Sequence, residues 1–360
     1  MTMRVYQVIE NLAFGDAIGN YTLFLNDILE EAGFETRIYA ENIGKRIDMD
    51  KVSYLKELPE LYEDDLVIYQ MCQSSKLTDI LKKIRCKKAC IYHNITPPEF
   101  FEAYDTSQAA FQRKGMLEVK SLNHTFDYVF GVSKFDCQDL IKMGYDRERT
   151  EVLPLIVPFD DYKTEPDKTI VDKYSDDWVN ILFVGRVSPN KKQEDIIRIF
   201  AFYKKYVNPK SRLFLVGSFF NEKYRFCLKK YVKELEIEDV YFTDQVKFSE
   251  ILAYYSCADI FCCMSEHEGF CVPLLEAMMF EKPIVAFDSS AIGETLGGSG
   301  VLMDSKDPCM ISMVFKKIQE DHELRERIIK EQNERLEYFS LENLKPFYVK
   351  KFKDIEGDTK

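Results

Sequence analysis

Short, nearly unbroken apolar runs that stop at a glycine or a polar loop recur along this chain, and they leave few folds open. In the first half they are Val5-Tyr6-Gln7-Val8-Ile9, Leu66-Val67-Ile68-Tyr69-Gln70-Met71, Ala89-Cys90-Ile91-Tyr92 and Tyr128-Val129-Phe130-Gly131-Val132. In the second half they are Asn180-Ile181-Leu182-Phe183-Val184, Arg212-Leu213-Phe214-Leu215-Val216, Ala258-Asp259-Ile260-Phe261-Cys262-Cys263 and Pro283-Ile284-Val285-Ala286-Phe287. Runs of this kind, without polar alternation, suit parallel strands covered on both faces. After the first run, Tyr21, Leu23, Phe24, Leu25, Ile28 and Leu29 follow a helical pattern that ends at Gly33, a residue suited to a helix C-cap. Strand, glycine loop, helix and strand open a doubly wound α/β domain, and the series begins again at Trp178.

A chain of 360 residues is too long for one ordinary core. The polar, proline-containing stretch 161–177 reads as a linker. The expected division is a first domain over 1–160, a second over 178–338, and a terminal helix over 339–360. A formal net charge of −12 speaks against a general nucleic-acid binder, which would carry a basic face. No run is apolar for long enough to span a bilayer, and the N-terminus leads straight into a strand pattern instead of a signal peptide. Ten cysteines in so long a chain are no disulfide scaffold, and several lie inside strand patterns, so a reducing cytoplasm is the expected setting. Cys86 and Cys90 lack a second Cys or His pair at zinc-site spacing, and no metal is expected.

The chemistry concentrates in Ser265-Glu266-His267-Glu268-Gly269-Phe270-Cys271-Val272-Pro273-Leu274-Leu275-Glu276. Proline is tolerated in a first helical turn, so a helix should begin near Pro273. Gly269 would let the backbone approach a ligand closely. The free N–H groups of the helix start, with the positive end of its dipole, suit a diphosphate. Glu268 and Glu276, separated by seven residues, flank that anion site, and each carboxylate can accept from adjacent sugar hydroxyls. Diphosphate in the middle and a polyol on either side describe a nucleotide sugar. Upstream, Gly185-Arg186-Val187-Ser188-Pro189-Asn190-Lys191 closes a strand with a forked cation and a point charge, both suited to phosphate oxygens.

These residues carry a resemblance. The run from Ser265 to Met278 resembles the donor-site motif of the family-four retaining glycosyltransferases, and 185–191 is similar to that family's Gly-Arg-Leu-x-x-x-Lys segment, with valine for leucine. The resemblance implies the GT-B fold: two Rossmann-like doubly wound domains facing each other across a cleft, with a C-terminal helix crossing back to the first. It implies retaining transfer of a hexose from a nucleotide diphosphate sugar to a saccharide or lipid-linked acceptor, in polysaccharide or glycan assembly. Glu268 would hold sugar hydroxyls and Glu276 the ribose. Arg186, Lys191 and the N–H groups of Val272 and Leu274 would carry the departing diphosphate without a metal, with Gly185, Gly269, Phe270 and Cys271 lining it. Relatives of this kind also imply donor contacts from Gly19 and Asn20 in the first glycine loop, from Gln245 and Val246 beside the base, and from Glu294. His93 follows a strand whose C-terminal end is where ligands of such sheets bind, and the resemblance implies that it touches the donor sugar.

Other readings stay open. Gly15 and Gly19 do not make Gly-x-Gly-x-x-Gly, so a dinucleotide site fails on spacing. Asp48-Met49-Asp50 matches a metal-holding Asp-x-Asp but sits in a polar segment away from any strand end. A sugar phosphorylase, a sugar-phosphate synthase or a non-catalytic partner subunit could share the fold. Lys82, Lys83, Arg85, Lys87 and Lys88 form a basic cluster that could meet an anionic membrane at the inner face of the cell.

Overall fold

The computed structural model describes residues 3–13 and 15–358. Two compact units emerge: unit 1 takes residues up to Glu99, Ser107–Pro158 and everything from Tyr338 on, while unit 2 takes Phe100–Thr106 and Phe159–Glu337.

Among the described residues of unit 1, seven parallel strands form one sheet. They are β1 (Arg4–Leu12), β2 (Glu35–Ile43), β3 (Val52–Tyr54), β4 (Leu66–Met71), β5 (Lys87–Tyr92), β6 (Tyr128–Gly131) and β7 (Thr150–Val152), in the order β3-β2-β1-β4-β5-β6-β7. Unit 2 repeats the plan with β8 (Val179–Val184), β9 (Ser211–Val216), β10 (Val240–Phe242), β11 (Ile260–Cys263), β12 (Ile284–Phe287) and β13 (Val301–Met303), ordered β10-β9-β8-β11-β12-β13. Central strands are buried on both faces: all six residues of β4 and of β9 are buried, and all four of β11. That is why the sequence shows continuous apolar runs and no alternation. In each sheet the order reverses once, between β1 and β4 and between β8 and β11, and the loops after those strand ends are where such folds bind ligands.

Helix starts are set by short polar side chains. Asp16, Ser133, Asn221 and Asp307 each accept from an N–H in the first turn, which satisfies a donor that the helix itself leaves unpaired. The terminal helix Leu341–Gly357 belongs to unit 1, as the resemblance implied. Tyr348 is fully buried there; its hydroxyl donates to the Pro154 carbonyl at 2.5 Å and lies 2.9 Å from that of Tyr21.

Three boundaries differ from the sequence reading. The apolar run Val152–Val157, which reads as one strand, leaves the sheet after Val152; Leu153, Leu155, Ile156 and Val157 are buried as irregular chain, since Pro154 and Pro158 offer no N–H to a ladder. The stretch read as a linker, 161–177, lies inside unit 2 and contains the helix Lys168–Tyr174, capped by Asp167. Finally Phe100–Thr106, placed by chain order in the first domain, packs within unit 2. Phe101 sits 4.9 Å from the ring of Phe220, Tyr104 4.9 Å from that of Tyr224, and Lys223 donates to the Ala103 carbonyl at 2.7 Å. Burial of an aromatic of this size contributes about 1.5–3 kcal/mol, which outweighs adjacency in sequence.

Candidate functional site

The site grows from the loops that follow β8 and β11, the neighbours at the reversal of unit 2. The two strands pair directly, Ile181 with Ile260 and Leu182 with Phe261, so their ends arrive side by side. Gly185, just past β8, has φ 142°, and Gly217, just past β9, has φ 140°. A Cβ on Gly217 would collide with the Gly185 carbonyl. Only glycine permits this approach of backbones.

Beyond Gly185 the chain passes Arg186 and turns through Pro189–Lys191 into the helix Gln193–Tyr206. Ser188 donates to Asn190 Oδ1 at 2.8 Å, Asn190 Nδ2 to the His267 carbonyl at 3.0 Å, and the Glu266 N–H to the Asn190 carbonyl at 2.8 Å. These bonds fasten the β8 loop to the β11 loop. A third loop, after β12, is tied in by Ser290, which accepts from the Glu268 N–H at 2.9 Å, and by Ser289, which donates to the Ser265 carbonyl at 2.6 Å.

Lys191 and Glu268, 77 residues apart, meet here in a direct ion pair. Glu268 is buried, with 6% of its surface exposed. Burial acts to lower the Lys191 ammonium pKa, but the carboxylate of Glu268 outweighs it and holds the lysine above its ordinary range. The lysine is therefore a cation held against a carboxylate in an enclosed place, where electrostatic interactions are strong. Arg186 is exposed and lies over the ring of Phe220 at 5.4 Å, with no ion pair among the described residues. The neighbouring cations are engaged elsewhere: Lys192 pairs with Glu266 at 3.1 Å, and Lys306 with Glu266 at 2.8 Å and Asp195 at 2.9 Å.

The helix Val272–Met279 begins at Cys271 with Pro273 in its first turn, no side-chain cap and no acid in that turn. The first turn itself therefore supplies no negative group to the positive end of the dipole. Cys271 itself is left-handed, with φ 73°. One expectation is corrected. Leu274 does not present a free N–H, because it donates to the Cys271 carbonyl at 3.0 Å. Phe270 is buried and its carbonyl accepts from Thr295 at 2.5 Å.

Glu276 is half-buried, and both of its oxygens are held: Oε1 accepts from Tyr162 at 2.5 Å and Oε2 from Tyr255 at 2.6 Å. Burial raises its pKa, and the two phenols offset part of that rise. Each carboxylate oxygen keeps a lone pair for a further donor. Neither tyrosine was foreseen. Tyr162 comes from the supposed linker and Tyr255 from the helix Phe248–Cys257, and no local pattern pairs them with Glu276. Gln245 and Val246 follow β10 at the same end of the sheet, Gln245 exposed. The Glu294 carbonyl accepts from Arg335 at 2.8 Å.

The remaining predicted residues lie in unit 1. His93 Nε2 bonds Gln70 Oε1 at 2.7 Å, Gln70 Nε2 donates to Gln7 Oε1 at 2.8 Å, and Gln7 Nε2 donates to the Thr22 carbonyl at 3.0 Å. The direction of this chain puts the His93 proton on Nε2 and leaves Nδ1, buried without a partner among the described residues, as an acceptor. Burial lowers the His93 pKa to about 3, so the ring is neutral at neutral pH. Gly19 and Asn20 have local work. A Cβ on Gly19 would stand 2.6 Å from the Ala13 carbonyl, and Asn20 Oδ1 accepts from the Gly15 N–H at 3.2 Å.

The basic cluster is divided. Lys87 donates to the Asp358 carbonyl at 2.8 Å and Lys88 to that of Ile84 at 2.9 Å, which leaves Lys82, Lys83 and Arg85 exposed. Asp48 accepts from the Asp50 N–H at 3.1 Å within a turn, away from strand ends. No helix of the described residues is long and apolar enough to cross a membrane.

Comparison with known proteins follows the same division. Residues 165–335 match the family model described as Glycosyl transferases group 1. An uncharacterized glycosyltransferase of Methanocaldococcus jannaschii is 30% identical over 162 residues, 44% of this chain and 40% of that protein. The serotype-specific mannosyltransferase WbdA of Escherichia coli is 23% identical over 251 residues, 65% of this chain and 29% of that protein. The chain thus spans well under half the length of these relatives. A crystal structure of Anabaena HepE in complex with UDP-glucose superposes with a TM-score of 0.75 at 18% identity, covering 98% of this chain and 100% of that one. The overall plan is accordingly the GT-B arrangement of two Rossmann-like units, and the stretch that matches the group 1 glycosyltransferase model, 165–335, holds Arg186, Lys191, Glu268 and Glu276.

Proposed function

We propose that this chain transfers a hexose from a nucleotide diphosphate sugar to a saccharide or lipid-linked saccharide, retaining the anomeric configuration and using no metal. The observation that carries the reading is the buried Lys191–Glu268 pair, set at the loops beside the sheet reversal of unit 2. Arg186, Lys191 and the Val272 N–H receive the diphosphate, and Gly185, Gly269, Phe270, Cys271, Leu274 and Glu294 shape its surroundings. As the bond from anomeric carbon to phosphate breaks, negative charge grows on the leaving oxygens. Cations already fixed in place stabilise that charge without reorganising. Glu268 holds sugar hydroxyls through the lone pairs Lys191 leaves it. Glu276, oriented by Tyr162 and Tyr255, receives the ribose, with Gln245 and Val246 beside the base.

From unit 1, His93 Nδ1 offers a neutral acceptor to a hydroxyl, and the loop of Gly19 and Asn20 serves the acceptor side. The acceptor hydroxyl attacks the face from which the nucleotide departs. UDP-glucose in a protein of the same fold and mannosyl transfer by WbdA support a hexose donor, and the serotype role of WbdA supports polysaccharide assembly. Lys82, Lys83 and Arg85 would be the contact with an anionic bilayer, tested by vesicle flotation at low salt.

The deciding experiment presents the full chain with UDP-, GDP- and dTDP-hexoses and a saccharide acceptor in excess EDTA, reading the product anomer by NMR. Transfer with the donor's anomeric configuration is expected. Turnover abolished by the chelator, or an inverted product, refutes the reading.

A further inference from the structure

The turn that starts the helix Val272–Met279 gathers two thiols around one carboxylate. Cys263 Sγ at the end of β11, Cys271 Sγ and a carboxylate oxygen of Glu268 all lie within 4.8 Å of one another. Cys263 is 0% exposed, Cys271 8% and Glu268 6%. No other three acidic, histidine or cysteine side chains among the described residues converge in this way. Sequence spacing hides the group, because its members come from a strand, a loop and a helix start.

Zinc takes thiolate sulfur at about 2.3 Å and carboxylate oxygen at about 2.0–2.2 Å, and a tetrahedron of those bonds sets its ligand atoms about 3.6–3.8 Å apart. The three atoms need to close by about an ångström at most. Two sulfurs and one oxygen also leave a fourth position open, as in three-ligand zinc sites.

We propose that Cys263, Cys271 and Glu268 form a site for a thiophilic divalent cation such as zinc, and that its occupancy weakens binding of the nucleotide sugar. The charges balance. A divalent cation replaces two thiol protons, which leave to solvent, and the resulting complex of one cation, two thiolates and one carboxylate carries a single negative charge. Lys191, already paired with the Glu268 carboxylate, neutralises it. With the cation and Lys191 both on its carboxylate, Glu268 has fewer lone pairs and less negative charge to offer sugar hydroxyls. The competition rests on the proposed function; the binding of the cation does not.

Cobalt(II) is the probe, added anaerobically to the full chain in which the exposed Cys227 and Cys309 are replaced by Cys227→Ser and Cys309→Ser. One cobalt per chain is expected, with sulfur-to-cobalt charge-transfer absorption and tetrahedral ligand-field bands that zinc bleaches. Cys263→Ser and, separately, Cys271→Ala should each abolish the charge-transfer signature while circular dichroism stays unchanged. Glu268→Gln should keep the sulfur bands and bind cobalt at least about tenfold more weakly, since losing even a group that only supports a ligand costs about 10- to 100-fold. Bands that persist in a folded Cys263→Ser or Cys271→Ala protein overturn the site. Zinc should raise the apparent KM for nucleotide sugar and EDTA restore it; zinc bound without effect on the donor overturns the competition. A protein that binds no nucleotide sugar even in EDTA, yet shows the cobalt bands, refutes the donor reading and leaves the cation site standing.

Discussion

At its strand ends unit 1 carries a neutral relay, with Gln7, Gln70 and His93 handing hydrogen bonds one way to the Thr22 carbonyl. Unit 2, built on the same strand order, carries charge at the corresponding place: Lys191 on Glu268, Arg186 unpaired by any carboxylate among the described residues, and Glu276 between two phenols. The scaffold is shared, so the contrast comes from the loops. A sheet reversal provides a position, and the side chains mounted there decide whether it recognises an uncharged polyol or an anion.

Removing charge from unit 2 should have the largest effect. Lys191→Ala is expected to lower kcat for sugar transfer by about 100- to 1,000-fold, the range seen when a preorganised charge stabiliser is lost. Lys191→Arg should recover part of it. If Lys191→Ala is active, the contrast between the units has no catalytic meaning.

A second test strikes the geometry that lets the charged loops approach. Gly217→Ala places a Cβ on the Gly185 carbonyl at φ 140°, and should destabilise the protein by about 3 kcal/mol through overpacking and strain together. Gly19→Ala in unit 1, where the clash is with Ala13 O at 2.6 Å and φ is ordinary, should cost less, about 1–3 kcal/mol. Urea midpoints of the two variants compare the units directly.

Smaller again is the loss of one phenol from Glu276. Tyr255→Phe should weaken donor binding by about 1–2 kcal/mol while kcat changes little, as for one hydrogen bond to a charged group. Tyr162→Phe should do the same, and calorimetry with the nucleotide diphosphate would show it.

The last effect belongs to unit 1 and appears only with pH. His93 titrates near 6.5 in the unfolded chain and at about 3 when folded. Its folded pKa is depressed, so the unfolded state takes up the proton first as pH falls. Stability contributed by the neutral ring is therefore full above pH 6.5 and declines from there down to about pH 3. The difference in urea midpoint between pH 7 and pH 5 should shrink in His93→Gln relative to the parent chain.

Much of unit 2 could be read from the residues alone. β8, β9 and β11 announce themselves because a strand covered on both faces must be apolar throughout. Arg186, Lys191 and Glu268 lie in loops at the ends of such strands, where a charge is conspicuous. What stayed hidden depends on pairs distant in sequence. Tyr162 lies 114 residues from Glu276, and a phenol in a polar stretch looks like any surface tyrosine. Phe100–Thr106 follows β5 along the chain and so was assigned to the wrong unit, though the aromatics Phe100, Phe101 and Tyr104 behind Pro97-Pro98 were a signal that the segment buries itself somewhere. The left-handed φ of Cys271 left no trace in the sequence, because that conformation is ordinarily the province of glycine.

The route of the chain has a consequence for its birth on the ribosome. Unit 1 is made of segments on either side of unit 2, and its Tyr348 hydroxyl must reach the Pro154 carbonyl, 194 residues earlier. Domains emerging in order normally complete the N-terminal one first. Here the first unit to begin is the last to finish: until the helix Leu341–Gly357 leaves the exit tunnel, the surface it will cover stays open to chaperones, and a premature stop shortly before Leu341 would strand that surface for good.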